Sequence, residues 1–97
     1  MKVYFIQSGI KGPIKIGVAN NVESRLKFLQ TGCPEKLSLI IEIICKSRKH
    51  AFEIEKQLHK RFGFLRLNGE WFKPRIKGMI SQIREIPEEC IIKHHLK

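Results

Sequence analysis

Apolar positions alternate with polar ones in some stretches of this chain and recur every three to four residues in others. That change of period marks the elements. Val3-Tyr4-Phe5-Ile6-Gln7 is β-branched and aromatic, which predicts a strand, and Ile14-Lys15-Ile16-Gly17-Val18 alternates, which predicts a second. Between them Ser8-Gly9-Ile10-Lys11-Gly12-Pro13 supplies turn residues, so the pair reads as an antiparallel hairpin with a longish loop. Val22, Leu26 and Leu29 recur at i, i+4 and i+7 and predict a helix, capped by Asn20 or Asn21 and stopped by Gly32 and Pro34. Leu37 to Cys45 is almost continuously apolar, the pattern of a central, buried third strand. Ala51, Ile54, Leu58 and Phe62 form the stripe of a longer helix from about Arg48 to Phe62, with Gly63 at its end. Arg66-Leu67-Asn68-Gly69 reads as a turn into Glu70-Trp71-Phe72. Pro74 suits the first turn of a last helix, with Ile76, Ile80 and Ile83 on one face and Pro87 after it.

The resulting order, β-β-α-β-α-α, predicts an α/β domain: a three-stranded, mainly antiparallel sheet flanked by three helices. The chain has 97 residues, one domain's worth, and divides into a domain over residues 1–86 and a basic C-terminal extension over 87–97. At 42% hydrophobic it can build a core, although a thin one, since a domain this size buries roughly 60–65% of its unfolded surface. The longest apolar run is broken by Glu42 and falls far short of the about 20 residues that span a membrane. Met1-Lys2-Val3-Tyr4 has no signal-peptide pattern, so the expectation is a soluble, intracellular protein with no membrane partner.

Charge changes the picture most. There are 19 Lys and Arg against 9 acidic residues, a net charge of +10, with no Asp at all. Such a chain attracts polyanions, and nucleic acid is the commonest of these, because neutralising its phosphates releases counterions. Lys46, Arg48, Lys49, Lys60 and Arg61 read as solvated faces that double as phosphate contacts. Three cysteines, Cys33, Cys45 and Cys90, are odd in number and match no zinc spacing and no disulfide framework, so they read as reduced thiols. Cys90 with His94 and His95 lies in the basic tail without a second cysteine nearby, and is not read as a metal site.

Two charged residues sit where the helical period puts them beside the core. Glu55 falls on the shoulder of the Ala51 stripe, where a carboxylate needs either a pairing cation such as His59 or Lys, or a metal. Arg25 shares the inward face of the first predicted helix with Val22 and Leu29, suited to a phosphate or to a salt bridge onto the sheet. Tyr4 and Lys15, from the two hairpin strands, fall near the centre of one sheet surface. Trp71 and Phe72 read as core beneath the last helix, with base stacking as the alternative.

These residues also carry a resemblance. Lys2-Val3-Tyr4 and Lys15-Ile16-Gly17 stand where the GIY-YIG nuclease superfamily has Gly-Ile-Tyr and Tyr-Ile-Gly, and Arg25 lies ten residues after Lys15. The segment Ala51 to His59 is similar to the one bearing the family's metal-binding glutamate. Leu26 to Thr31 and Gly69-Glu70-Trp71-Phe72 look like a phage and bacterial subgroup with a Lys-Ile-Gly second motif. Over residues 2–73 the resemblance implies a phosphodiester hydrolase acting on DNA with one Mg²⁺ or Mn²⁺ held by Glu55. Arg25 would then neutralise phosphate charge, and Tyr4 would orient or help deprotonate the attacking water. Lys15 departs from the family's Tyr and Leu29 from its His or Tyr; Asn68 and Glu70 are candidates for its late Asn, and His59 for a replacement ligand or base. The departures admit a second reading, a DNA-binding module without catalysis. Specificity would have to come from the domain itself, a homodimer or a protein partner.

Overall fold

The computed structural model describes residues 1–84 and 90–95. The hairpin forms as its pattern predicts: β1 (Lys2–Ser8) pairs antiparallel with β2 (Ile14–Ala19), Tyr4 opposite Gly17 and Ile6 opposite Lys15. Helix α1 (Val22–Thr31) starts at Asn21, whose side chain accepts from the Ser24 N–H, a cap that satisfies one of the helix's orphan donors. Strand β3 (Leu37–Ile44) returns along the far edge of β1. The register slips between Phe5 and Ile6, so Ile40 and Ile41 both reach the same core from one bulge. Helix α2 (Arg48–Arg61) is capped by the Ser47 hydroxyl, which accepts from the His50 N–H.

After α2 a short 3-10 turn, Gly63–Leu65, leads into a small hairpin of β4 (Arg66–Asn68) and β5 (Trp71–Phe72). Helix α3 (Ile76–Ile83) follows, and β6 (Ile91–His94) closes the chain's described part. The α/β class and its three helices stand, but the three-stranded expectation is corrected: the strands join one antiparallel sheet of six, in the order β4-β5-β2-β1-β3-β6. The three additional strands are the shortest, two to four residues each, too brief to show an alternating period. Part of the segment set apart as a basic extension, Ile91–His94, therefore pairs with β3. Pro87, read as the end of the last helix, lies outside the described residues. Pro74 stands two residues ahead of α3 rather than in its first turn.

Helices cover both sheet faces. Val3, Phe5, Ile14, Ile16, Ile41 and Ile43 pack against the α2 stripe Ala51, Ile54, Leu58, Phe62 and against Met79 and Ile83 of α3. Tyr4, Ile6, Ala19 and Leu37 pack on the opposite face against Val22, with Leu26 and Leu29 half-buried. Phe72 belongs to the first core, as expected; Trp71 is half-buried at the margin of the second. Among the described residues no helix is long and apolar enough to cross a membrane.

Candidate functional site

The free edge of β2 positions the site. Strand β5 pairs with only Ile14 and Lys15, so beyond that point the outer edge of β2 lacks a strand partner among the described residues. Ile16 meets the loss in two ways. Its N–H donates to the Glu70 carbonyl at 3.0 Å, and its carbonyl accepts from His59 Nε2 at 2.9 Å. Because a carbonyl only accepts, Nε2 carries the proton. Nδ1 of His59 then accepts from Arg66 Nη2 at 3.3 Å, since a guanidinium only donates. The imidazole lies edge-on to Phe72 with ring centroids 5.1 Å apart, and Arg66 covers the same ring at 5.4 Å. Helix α2 thus crosses the edge of β2 and carries Glu55, one turn before His59, round to the side of the sheet that bears Tyr4 and Lys15.

Glu70 arrives from the opposite direction. The turn between β4 and β5 holds Gly69 at φ +56, a conformation open to glycine at little cost, and the next residue is Glu70. Its carboxylate pairs with Lys15 Nζ at 3.0 Å, and the Lys15 ammonium also lies 5.5 Å from the centre of the Trp71 ring. One ligand atom each from Glu55, His59 and Glu70 fall within 4.8 Å of one another. Burial pushes the Glu55 carboxyl above its ordinary range and the Glu70 charge adds to this, while His59 and Lys15 pull it back. Two carboxylates facing one another, one paired with Lys15, make a donor set that fits a hard cation.

Tyr4 forms the floor. It is 1% exposed, and its ring lies so close over Gly17 that a Cβ there would meet the phenol oxygen at 2.4 Å. The glycine of the Lys15-Ile16-Gly17 motif is therefore a steric requirement of the tyrosine. Burial drives the Tyr4 hydroxyl up to about 12, with Glu70 and Glu55 adding to the rise and the charge and hydrogen bonding of Arg25 opposing it. Arg25 is largely exposed, yet its side chain turns in to hydrogen-bond the buried Tyr4 hydroxyl, on the side its helical position suggests. Helix α1 rests on the sheet mainly through Val22, the only fully buried residue of the helix, which leaves the flank bearing Arg25 at the mouth of the site.

Two adjoining clefts lead to this centre. One, of about 450 Å³, is lined by Asn21, Arg25, Phe28, Arg48 and Phe52 among others. The other, of about 770 Å³, is lined by Phe52, Glu55, Lys56, His59, Lys60 and Arg66. Phe52 borders both and carries the Arg48 guanidinium 5.6 Å from its ring centre. The structure thus gathers Tyr4, Lys15, Arg25, Glu55 and His59 in one place, with Arg48 and Lys60 on the cleft walls. Lys49 is exposed on the first turn of α2 and lines neither cleft, and Arg61 turns to α3, donating to Gln82 Oε1 at 2.8 Å. Of the two candidates for a late supporting residue, Glu70 reaches the centre, and Asn68 is exposed on β4. Arg66, Phe28 and Phe52 escape sequence reasoning. Arg66 looks like part of a turn, and the two phenylalanines, 72% and 45% exposed, carry no periodic signal that separates them from core.

A basic cleft at a sheet edge, with carboxylates, an imidazole and a buried phenol at its base, defines a small three-layer α/β module built around a polar centre. The chain belongs to the T5orf172 domain family, whose model matches residues 1–91. Comparison with curated proteins and with solved structures gives no significant match.

Proposed function

We propose that this T5orf172 domain is a GIY-YIG-type, metal-dependent endonuclease that hydrolyses phosphodiester bonds in DNA. In this reading β2, β1 and β3 are the three-stranded core of that fold, and β4, β5 and β6 extend it at both edges. The observation that carries the proposal is the convergence of Tyr4 from β1, Arg25 from α1 and Glu55 with His59 from α2, three separate places in the sequence, beside the two clefts.

Glu55, with Glu70 beside it, would hold one Mg²⁺ or Mn²⁺, which when bound supplies Lewis-acid stabilisation of charge on the scissile phosphate, and His59 would join them only by giving up its bond to Arg66. Arg25, at the mouth, grips a non-bridging phosphate oxygen and offsets charge as it develops. Tyr4 keeps its proton throughout the physiological range because its hydroxyl is raised to about 12. Tyr4 therefore orients the attacking water by hydrogen bonding, or helps to deprotonate it once a bound cation offsets the charges of Glu55 and Glu70. Lys15 holds Glu70 in place and adds positive charge near the phosphate. Arg48 and Lys60 on the cleft walls contact flanking phosphates, and exposed Lys49 with Arg61 extends the basic surface.

One observation favours a second reading, a DNA-binding module without catalysis. The Lys15–Glu70 ion pair places an ammonium where a cation would otherwise be needed, leaving Glu55 as the single uncommitted carboxylate. Plasmid nicking at low salt with Mg²⁺ and separately Mn²⁺ decides between them. The endonuclease reading expects metal-dependent nicking that disappears in Glu55→Ala and Arg25→Ala. A chain that shifts DNA in a gel yet never cuts it supports the binding module.

A further inference from the structure

A second cluster lies away from the cleft. Cys45 follows β3, His50 is in the first turn of α2, and Cys90 opens into β6; their ligand atoms all lie within 4.8 Å of one another. The two sulfurs are 3.8 Å apart, and Cys90 Sγ is 3.9 Å from His50 Nδ1 and 3.9 Å from Nε2. All three cysteines of the chain are free thiols, so no disulfide explains the approach. Two thiolates bound to one tetrahedral zinc, each at about 2.3 Å, stand about 3.8 Å from one another, and a thiolate and an imidazole nitrogen stand about 3.6 Å apart. The sulfur pair already has the zinc spacing, the Cys90–His50 separation is a few tenths of an ångström longer than a zinc site needs, and the imidazole has to turn so that one nitrogen faces the metal.

We propose that Cys45, His50 and Cys90 form a zinc site with water as the fourth ligand, fastening β6 to the end of β3 and the start of α2. The donor set is soft, two sulfurs and one nitrogen, unlike the oxygen-rich Glu55 centre, and selects a different class of metal. Zinc binding displaces both thiol protons to solvent, and each sulfur becomes a thiolate ligand. Burial, and next the neighbouring Cys90, push the Cys45 thiol upward in the metal-free chain. The role is structural. Strand β6 is short, mostly exposed and held to the sheet by one edge, so a bond from Cys90 to two other elements fixes its register. None of this depends on the nuclease reading.

The reduced full-length chain is titrated with Zn²⁺, and with Co²⁺ as a spectroscopic stand-in, in the presence of excess Mg²⁺. One equivalent of zinc is expected, with two protons released, a thiolate-to-cobalt charge-transfer band, and a thermal midpoint on the order of 10 °C higher at zinc about a hundredfold above its dissociation constant. Cys90→Ser and His50→Ala are expected to weaken zinc by more than about 100-fold, beyond the 10–100-fold typical of losing a supporting contact. Circular dichroism checks that both stay folded, and His50 is the milder change. Glu55→Ala is expected to bind zinc as the native chain does, while losing any Mg²⁺-dependent nicking. Zinc uptake that survives Cys90→Ser and His50→Ala, or that disappears with Glu55→Ala, overturns the assignment. So does a reduced chain that takes up no zinc, whether or not Cys45 and Cys90 then oxidise to a disulfide in air.

Discussion

At residue scale, a single methyl group decides whether the site can form. A Cβ on Gly17 would lie 2.4 Å from the Tyr4 oxygen and 2.5 Å from the ring carbon that bears it. The tyrosine is packed in the core and has nowhere to retreat. Gly17→Ala is therefore expected to cost about 2 kcal/mol by overpacking, measured by urea denaturation. Removing the hydroxyl alone should not rescue it, because the ring carbon still collides: Gly17→Ala with Tyr4→Phe should stay near the single mutant. Full rescue would mean that only the oxygen sets the constraint. Glu55 gives the second prediction at this scale. Its carboxyl is raised by burial and by Glu70, so the fold favours the protonated form. Its contribution to stability is present below the ordinary carboxylate range and is lost as pH rises through the raised value. Glu55→Gln should thus stabilise the metal-free protein at neutral pH, by about 0.5 kcal/mol after allowance for solvent screening, and the gain should shrink in acid. Mg²⁺ or Mn²⁺ should stabilise the native chain and not the variant, and less well as pH falls. Thermal melts across pH with and without metal check both signs. Glu55 was legible because helical period alone sets it beside the apolar stripe. Glu70 was named only through the family resemblance, as one of two candidates for a late supporting residue, and the trio Cys45, His50 and Cys90 was not read at all, because their neighbours come from distant segments.

At the scale of elements, the open edge of β2 connects fold to chemistry. The long elements could be read from period: Ala51, Ile54, Leu58 and Phe62 are all 2% exposed or less. Helix α3 was read with its stripe slightly misplaced. Ile76 and Ile80 are half-buried, and Met79, on the same side by spacing, is fully buried with Ile83. Strands β4, β5 and β6 were illegible because a strand of two to four residues is made by its partner and not by its own pattern. The direction of Arg25 was readable from the helical period, but its exposure was not, because a period gives a direction and not the depth at which a helix sits. The crossing of α2 over β2 was equally unreadable, although it is what brings Glu55 to Tyr4. His59 holds that crossing through the Ile16 carbonyl. His59→Ala should cost about 1 kcal/mol, the low end for an unsatisfied carbonyl, since water can reach this edge. The Ile16 amide is bonded independently to Glu70, so hydrogen exchange should accelerate around residues 55–59 and not at Ile16 itself. Acceleration at Ile16 instead would show that the edge, and not the helix, depends on the histidine.

At the scale of the whole molecule, a net charge of +10 is a field, and its use depends on where it is focused. The two clefts draw Arg25, Arg48, Lys56, Lys60 and Arg66 to their walls, against the single carboxylate of Glu55. Lys11 and Lys77 add to the same total from outside both clefts. If DNA lies along the clefts, binding should weaken linearly on a plot of log affinity against log salt, with a slope of roughly −0.9 for each phosphate neutralised. Replacing Arg25 and Arg48 together by Ala should make that slope shallower by about 2, because each guanidinium releases its own counterion. Replacing Lys11 and Lys77 together changes the net charge equally and should leave the slope within about 0.5 of the native value. Fluorescence anisotropy of a labelled duplex between low and moderate salt separates the cases. Equal changes from both pairs would mean that the charge acts as a diffuse cloud, and the clefts would lose their claim to be the path of the DNA. A shift confined to the arginine pair would place the duplex across the mouth that Arg25 guards, within reach of Glu55.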